Sequence, residues 1–328
     1  MKKIDLQRKR ILYLGPVFFS YDQFLIKKLM SLGCIVDPVE LELKQGVQYK
    51  IINRFKQSQL APFQERRYNK ILKGKNYNYD YVLVRQGYQL ASSIYKDLKA
   101  WNPKAQFINF HWDSLKNSYD YRPIMKWFDK VYSFDYKDCE NNNNVNYLPL
   151  FYIDEYAHFE NSPSLPEFDL LFIGAWRNME RYQLIQYTDK LCKQYNLKFH
   201  YYLYLSLRRQ YWALKAGQLP RKAKSKQLTH KQILKLFSKS NTIIDFPSSF
   251  QTGLTIRTFE TLAAGKKLIT TNRNIVKESF YDPEYISVLD NKKFTLDLDF
   301  LKSEPKSSIK EKMKEYSLEN YVFKLLQK

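Results

Sequence analysis

The stretch FQTGLTIRTFETLAAGKKLITTN, residues 250–272, contains the pattern that decides the fold. Ile256, Phe259 and Ala263 recur at helical spacing, so they predict a short helix with one apolar face. Gly265 stands where a glycine commonly ends a helix, because glycine adopts the left-handed backbone conformation without strain. The apolar residues that follow predict a buried strand. A loop, a helix and a strand in this order are typical of an α/β protein.

Two charged residues of the predicted helix indicate what it binds. Arg257 and Glu260 are three residues apart, so they share one face of the helix. A cation in the first turn is unfavourable because the helix N-terminus is already partially positive, and a bound phosphate would remove that conflict. One turn further on, the two carboxylate oxygens of Glu260 suit the vicinal hydroxyls of a ribose. The pattern predicts a nucleotide-binding site; the alternative is a solvated Arg–Glu pair on an ordinary amphipathic helix.

Length and composition favour two soluble domains. The 328 residues exceed one typical compact domain, and a hydrophobic content of 44% is enough for two cores. Cys34, Cys139 and Cys192 are far apart and show no metal-ligand spacing, which fits a reducing compartment. Residues 1–10 are polar and basic rather than a signal peptide, and no apolar run approaches the roughly 20 residues of a membrane span. We therefore expect a cytoplasmic protein that is soluble, or peripheral on the inner face of the cell membrane.

The formal net charge of the chain is +21, which attracts nucleic acid, anionic lipid or phosphorylated substrates. The alternative origin of this charge is a compositional bias, because Lys, Asn, Tyr and Ile are abundant together. The densest basic run, residues 208–231, also contains Tyr211, Trp212 and Leu214. Basic and aromatic residues together suit a segment that faces an anionic membrane surface or a phosphate. An ordinary surface loop is the alternative, and it is the interpretation that the sequence favours.

Predicted strands and helices alternate along both halves of the chain. The first half contains six predicted strands, and the pattern restarts at residue 168. Such alternation predicts βαβ units and parallel sheets. We expect an α/β protein with two Rossmann-like domains that face a cleft. The expected parts are an N-terminal domain at 1–160, a linker at 161–166, a C-terminal domain at 167–305, and a helix at 306–328 that packs back on the N-terminal domain.

Ligands of open α/β sheets bind beyond the carboxyl ends of the strands, so the loops after strands are the candidate site. These loops are residues 15–21, 111–113, 174–181 and 247–255. The sequence contains no GxGxxG motif and no Walker A motif. A nicotinamide dinucleotide site is therefore poorly supported.

Two segments of the second half resemble those of a known enzyme family. FDLLFIGAWR at 168–177 and GLTIRTFETLAAGKKLITTN at 253–272 are similar to the donor domain of GT-B glycosyltransferases, in particular the CgeB-like and bacterial capsule or lipopolysaccharide group. The first half is similar only in its general α/β pattern. The resemblance implies transfer of a hexosyl or related sugar from a nucleotide-sugar donor to a glycan or lipid-linked acceptor, in the synthesis of bacterial surface polysaccharide.

The resemblance also implies a set of donor-binding residues. Glu260 matches the family's ribose-binding glutamate, and Arg257 would contact the diphosphate. Many relatives have a second glutamate eight residues earlier, where this chain has Thr252; the donor sugar and the stereochemistry therefore stay open. The full implied set is Gly174, Arg177, Arg181, Gln251, Thr252, Gly253, Leu254, Arg257 and Glu260.

The reaction must stabilise a leaving diphosphate, which this kind of enzyme commonly does without a metal. Arg177, Arg257 and the helix N-terminus would supply the positive field in place of a cation. Asp297 and Asp299 have the spacing of an acidic metal motif but lie past the core strands. We expect no cofactor and no essential metal.

An inverting reaction needs a base from the first half of the chain, whereas a retaining one needs none. Asp113 and His111 are the candidate catalytic residues, because both follow a predicted strand; Asp22 is a weaker candidate. A packing role is favoured for His111, and Asp113 could instead cap a following helix. Inversion and retention both stay open.

Two other functions remain as alternatives. The positive net charge fits a nucleic-acid-binding protein. The sequence contains no recognised module such as an RRM or KH motif, so nucleic acid is not the expected partner. A sugar-nucleotide epimerase could use the same scaffold.

Overall fold

The computed structural model describes residues 4–16, 20–41, 66, 68, 70–72, 78–87, 90–118, 120–158, 166–290 and 295–327. The chain divides into two compact units, the first formed by Met1–Pro149 with Leu318–Lys328 and the second by Leu150–Ser317. The sequence predicted boundaries at 160–167 and at 305–306. Apart from Pro166, the predicted linker lies outside the described residues.

The first unit contains a six-stranded sheet in which every pair of neighbours is parallel. Its strands are β1 (Arg10–Gly15), β2 (Ile35–Glu40), β3 (Tyr81–Arg85), β4 (Gln106–His111), β5 (Lys130–Ser133) and β6 (Asn146–Tyr147). Among the described residues up to 149, its helices include α1 (Ser20–Ser31), α2 (Ser92–Trp101), a 3₁₀ helix (Arg122–Trp127) and α3 (Tyr136–Glu140). The central strands read as continuous apolar runs because helices cover both faces of a parallel sheet.

The second unit contains a five-stranded parallel sheet. Its strands are β7 (Phe168–Ala175), β8 (Phe199–Tyr204), β9 (Ser240–Asp245), β10 (Lys267–Thr270) and β11 (Ile286–Val288). Its α-helices are α4 (Asp154–Ala157), α5 (Met179–Gln194), α6 (Leu207–Lys215), α7 (His230–Ser238), α8 (Ile256–Ala263), α9 (Leu298–Lys302) and α10 (Lys310–Met313). Two 3₁₀ helices occupy Arg273–Lys277 and Lys314–Tyr316.

The two sheets share one topology. Their strand orders are β2-β1-β3-β4-β5-β6 and β11-β10-β9-β7-β8. When the strands are counted within each unit, the first five of each sheet follow the order 2-1-3-4-5. The chain therefore reverses its direction across the sheet between β1 and β3, and again between β7 and β9. Such switch points are where open α/β sheets bind ligands at their carboxyl edge.

Helix α8 has the predicted position, and Gly265 follows it with a φ of +69°. A side chain in that left-handed conformation would be strained, which explains the glycine. The C-terminal prediction is wrong in detail: the single helix expected within 306–328 is interrupted at Ser317, whose backbone is extended. The last helix, α11 (Leu318–Leu326), packs on α1 within the first unit.

Candidate functional site

A cavity of about 540 Å³ lies at the carboxyl edge of the second sheet. The loops after β7, β9, β10 and β11 line it, so it occupies the switch point between β7 and β9 and extends along the edge. Three residues that the sequence singled out line this cavity: Arg181, Gln251 and Thr252. The predicted loops 174–181 and 247–255 also supply four polar lining residues that were not named individually: Asn178, Glu180, Ser248 and Ser249. The remaining polar lining residues lie outside those loops: Thr271, Asn272, Arg273, Asn274 and Asp290.

Arg181 is the cation that the fold fixes most firmly on the cavity wall. Its Nη1 donates to the carbonyl oxygen of Ala175 at 3.0 Å, which ties the first turn of α5 to the end of β7. Burial lowers the pKa of Arg181 to about 10, while the nearby Asp245 carboxylate acts in the opposite direction. The guanidinium therefore stays protonated at neutral pH. Arg177 lies close enough to interact with it electrostatically and is exposed.

The loop before α8 is held by amide side chains that follow β10. Nδ2 of Asn272 donates to the carbonyl oxygens of Thr252 and Gly253 at 3.1 and 3.0 Å, and Asn274 donates to Thr252 at 3.2 Å. Nε2 of Gln251 donates to the Gly253 carbonyl at 3.0 Å. These bonds fix the backbone of the loop against the neighbouring strand, so the cavity has a preformed wall.

The N-terminus of α8 is not capped by the side chain of its N-cap residue, Thr255. The Thr255 hydroxyl donates instead to Oδ2 of Asp245, the last residue of β9. Burial raises the pKa of Asp245, and the charges of Arg181 and Arg257 oppose that shift. Asp245 therefore interacts electrostatically with both guanidinium groups and, through Thr255, orients the start of the helix. Its position links the cavity wall to the charged face of α8.

Arg257 and Glu260 form an ion pair within α8, with 2.7 Å between Nη1 and Oε2. The side chain of Glu260 has no exposed surface and that of Arg257 is 15% exposed. Tyr156 of α4 lies near the pair: burial raises the pKa of its hydroxyl, and the Glu260 charge raises it further. The Arg257 guanidinium lies 5.2 Å from the Phe237 ring centroid. The alternative of a solvated surface pair is therefore wrong. Neither residue is among those that line the cavity.

Other predicted donor residues have packing roles. Gly174 lies inside β7, and an added Cβ would come within 2.8 Å of the Phe172 ring, so side-chain packing accounts for this glycine. Gly253 and Leu254 are buried and hold the loop in place. Gly174, Gly253, Leu254 and the exposed Arg177 are not among the residues that line the cavity.

The two candidate bases of the first unit differ in their surroundings. His111 is buried, stacks on Tyr121 with ring centroids 3.6 Å apart, and lies 2.7 Å from the Asn109 side-chain oxygen. Burial lowers the pKa of His111 to about 3. These are the contacts of a packing histidine, which is the alternative that the sequence favoured for His111.

Asp113 is partly exposed at the carboxyl edge of the first sheet. Its Oδ2 accepts from Nε2 of Gln86 at 3.4 Å. Gln86 itself has a φ of +69°, a strained conformation for a residue with a side chain, and such strain clusters at functional sites. No helix starts directly after Asp113, so the capping alternative is wrong. Asp113 stays the predicted base.

Asp22, the weaker candidate base, is fully buried in an ion pair with Arg85, with 2.5 Å between Oδ1 and Nε. The Tyr13 hydroxyl also donates to Oδ1, and the Arg85 guanidinium lies 4.9 Å from the Trp112 ring centroid. Nε1 of Trp112 donates in turn to the Tyr321 hydroxyl at 2.9 Å. This cluster joins the first turn of α1 to the end of β3.

Within the described part of the chain, no three His, Cys, Asp or Glu side chains are grouped to hold a metal ion. Asp297 caps α9 by accepting from the Phe300 amide at 2.9 Å, which assigns that carboxylate a structural role. Over the same described residues, no helix combines the length and apolar character required to cross a membrane.

Comparison with known proteins identifies the fold. No protein-family model and no curated protein sequence matches the chain. Solved structures do match it over almost its full length. An α-glucosyltransferase in complex with UDP and a 13-mer DNA containing a central A:G mismatch is 14% identical, with a TM-score of 0.57 and coverage of 97% of this chain and 94% of that chain.

Two further structures match in the same way. AviGT4, a glycosyltransferase involved in avilamycin A biosynthesis, is 11% identical with a TM-score of 0.56 and coverage of 96% of this chain and 95% of that chain. The catalytic domain of starch synthase IV from Arabidopsis thaliana, bound to ADP and acarbose, is 10% identical with a TM-score of 0.53 and coverage of 98% and 96%. At such low sequence identities, the similarity to these structures shows a shared fold and not a shared activity. The predicted GT-B fold of two Rossmann-like units is confirmed, and the CgeB-like subgroup stays a prediction.

Proposed function

We propose that this protein is a glycosyltransferase that binds a nucleotide-sugar donor in the cavity of the second unit. The observation that carries the proposal is the open, polar cavity at the switch point between β7 and β9, with Arg181 fixed on its wall. A charged guanidinium and the N-terminus of α8 are the groups that favour a diphosphate. The GT-B fold and the UDP and ADP complexes of two structural neighbours agree with this assignment.

Glu260 is the proposed ligand of the donor ribose, but its carboxylate is buried and paired with Arg257. It can accept from a ribose hydroxyl only if Arg257 moves away. A diphosphate at the adjacent N-terminus of α8 offers Arg257 a competing anion. Donor binding would therefore exchange one partner for another: Arg257 turns to the diphosphate while the ribose takes its place on Glu260.

The proposed chemistry needs no metal. Arg177, Arg181, Arg257 and the α8 N-terminus stabilise the charge that develops on the leaving diphosphate. If the reaction inverts the sugar, Asp113 takes the proton of the acceptor hydroxyl. If it retains the configuration, Asp113 has another role. The proposed acceptor is a glycan or a lipid-linked glycan of bacterial surface polysaccharide such as capsule or lipopolysaccharide, at the inner face of the cell membrane.

The experiment is a thermal-shift screen of the full chain against UDP-, GDP-, CMP- and dTDP-sugars. A ligand that binds only the folded state raises the melting temperature, so one donor class should stabilise the protein. Arg181→Ala removes charge-assisted hydrogen bonds of about 1.5–3 kcal/mol and should weaken binding by about 10- to 100-fold. Arg209→Ala removes a guanidinium from an exposed position away from the cavity and is the matched control.

Two outcomes would contradict the proposal. No shift with any nucleotide or nucleotide sugar would remove the donor site. Release of an epimerised sugar from a nucleotide sugar in the absence of acceptor would instead assign the protein to the epimerases.

A further inference from the structure

Helix α6 of the second unit carries an exposed apolar stripe. Leu207, Tyr211 and Leu214 are spaced four and three residues apart, so they lie along one side of the helix. Leu207 is 71% exposed and Leu214 is 63% exposed. Among the nine residues of α6, Ala213 alone is buried. Because a surface helix normally turns its apolar side inward, a stripe that faces water indicates a surface with a partner.

Basic residues border this stripe. Arg208 and Lys215 lie beside it on the helix, together with the exposed Trp212. Nζ of Lys215 is 4.8 Å from the Tyr211 ring centroid and 5.6 Å from that of Trp212, so the charge and the aromatic rings form one patch. We call Leu207, Arg208, Tyr211, Trp212, Leu214 and Lys215 the α6 patch.

The surrounding sequence is basic throughout. Residues 190–244 contain 13 Lys or Arg and no Asp or Glu, so this segment holds well over half of the net charge of +21. A compositional bias alone would spread the charge along the chain. The net positive charge is instead concentrated in the sequence segment that contains the α6 patch. The sequence favoured a loop over this run, and that expectation is wrong for 207–215.

We infer that the α6 patch docks on an anionic lipid bilayer. Leucine side chains beside Trp and Tyr suit the boundary between headgroups and acyl chains, and flanking Lys and Arg suit anionic headgroups. A protein interface fits less well, because the cores of such interfaces are depleted of Lys. A nucleic acid would meet the basic residues but would leave the leucines without an apolar partner.

The inference deepens the proposed function by placing the enzyme on the membrane that holds a lipid-linked acceptor. It depends only on the surface of the second unit, and it would hold for a different activity. Vesicle binding and nucleotide-induced stabilisation therefore test separate claims.

The experiment is co-sedimentation of the full chain with sucrose-loaded vesicles at low salt. Vesicles of equal parts phosphatidylcholine and phosphatidylglycerol should bind the protein, and pure phosphatidylcholine should bind it at least tenfold less. Arg208→Glu/Arg209→Glu should weaken binding by about 20-fold or more, since each cation near an anionic surface contributes roughly a fivefold factor. Trp212→Ala/Leu214→Ala should weaken it about tenfold without any change in charge.

Matched controls alter exposed residues elsewhere. Lys96→Glu/Lys104→Glu makes the same change in net charge on the first unit, and Tyr187→Ala/Tyr195→Ala removes two exposed rings on and after α5. Neither control should change vesicle binding by more than twofold, and all variants should keep the wild-type melting temperature.

Three results would overturn the inference. The first is no sedimentation of the wild type with the anionic vesicles. The second is an equal loss in the Lys96/Lys104 control, which would show a diffuse charge effect. The third is tight binding to duplex DNA that is lost with Arg208 and Arg209 while the Trp212/Leu214 variant still binds vesicles as the wild type does, which would make this a nucleic-acid surface.

Discussion

The two sheets share one strand order, but different side chains surround the ends of their strands. In the first sheet, Asp22 of α1 and Arg85 at the end of β3 form a buried pair beside the Trp112 ring. At the switch point of the second sheet lies a cavity of about 540 Å³ with Arg181 on its wall. Strand order alone therefore does not define a ligand site; the side chains that follow the strands decide what the edge can bind.

A second contrast separates two ion pairs of the same chemistry. Arg85 is bound to Asp22, lies against Trp112 and has a side chain that is only 8% exposed. Arg257, bound to Glu260, keeps some exposure at the start of a helix that borders the cavity loops. We interpret the first pair as structural and the second as exchangeable, and the following experiments test that difference.

The largest expected effect is loss of the first pair. Asp22→Ala leaves the Arg85 guanidinium buried without its carboxylate, which should cost about 3–5 kcal/mol in the free energy of unfolding. Urea denaturation followed by near-ultraviolet circular dichroism measures this loss. Asp120→Ala breaks an exposed pair with Arg122 and should cost about 1 kcal/mol or less. Equal losses in the two variants would show that the buried cluster does not stabilise the first unit.

The next prediction compares lysine substitutions of the arginines in the two ion pairs. Arg257→Lys keeps the charge but removes the fork geometry, so nucleotide affinity should fall about tenfold, with stability changed by less than about 1 kcal/mol. Arg85→Lys loses both the Nε bond and the stacking on Trp112, so it should lower stability by about 1–3 kcal/mol and leave affinity unchanged. Isothermal titration calorimetry and urea denaturation give both numbers. The reverse pattern would exchange the roles assigned to the two pairs.

A smaller effect concerns the cavity wall. Asn272→Ala removes two hydrogen bonds to the loop before α8, each contributing about 1 kcal/mol. Amide hydrogen exchange of residues 251–254 should therefore become roughly 30-fold faster. Asn142→Ala, which removes a single bond to the Asp138 carbonyl in the first unit, is the control. Unchanged exchange in Asn272→Ala would mean that other contacts hold the loop.

The last effect is a pH dependence in the first unit. Burial raises the pKa of Asp138 from its ordinary 3.8 to about 6, although the Leu115 amide and the Ser133 hydroxyl bind its carboxylate. The folded state therefore binds a proton more tightly than the unfolded state, and stability should decrease as pH rises from about 4 to about 6. Asp138→Asn should remove this slope in urea midpoints, and exposed Asp5→Asn should keep it. A slope that persists in Asp138→Asn would assign it to another group.

The sequence predicted α8 and its glycine stop because spacing and backbone conformation are local properties. It did not predict that Glu260 is buried, since a pattern with one apolar face cannot show that α4 and α10 pack against the same helix. Asn272 and Asn274 were missed although they follow β10, where the rule for carboxyl ends of strands applies. The break at Ser317 was missed because no proline or glycine marks it.

Helix α6 was also missed, for a different reason. Its apolar residues do recur at helical spacing, but they face outward among basic residues, which made the run resemble a surface loop. Periodicity shows which side of a helix is apolar, but it does not show what covers that side.

The position of α11 sets the order in which the chain can finish folding. This helix supplies Tyr321 to the Trp112 cluster and packs on α1, yet the ribosome makes it after the whole of residues 150–317. The unit that is begun first is thus completed last, whereas domains made at the start of a chain usually fold first. Until translation reaches α11, the nascent first unit exposes the apolar surface that this helix covers.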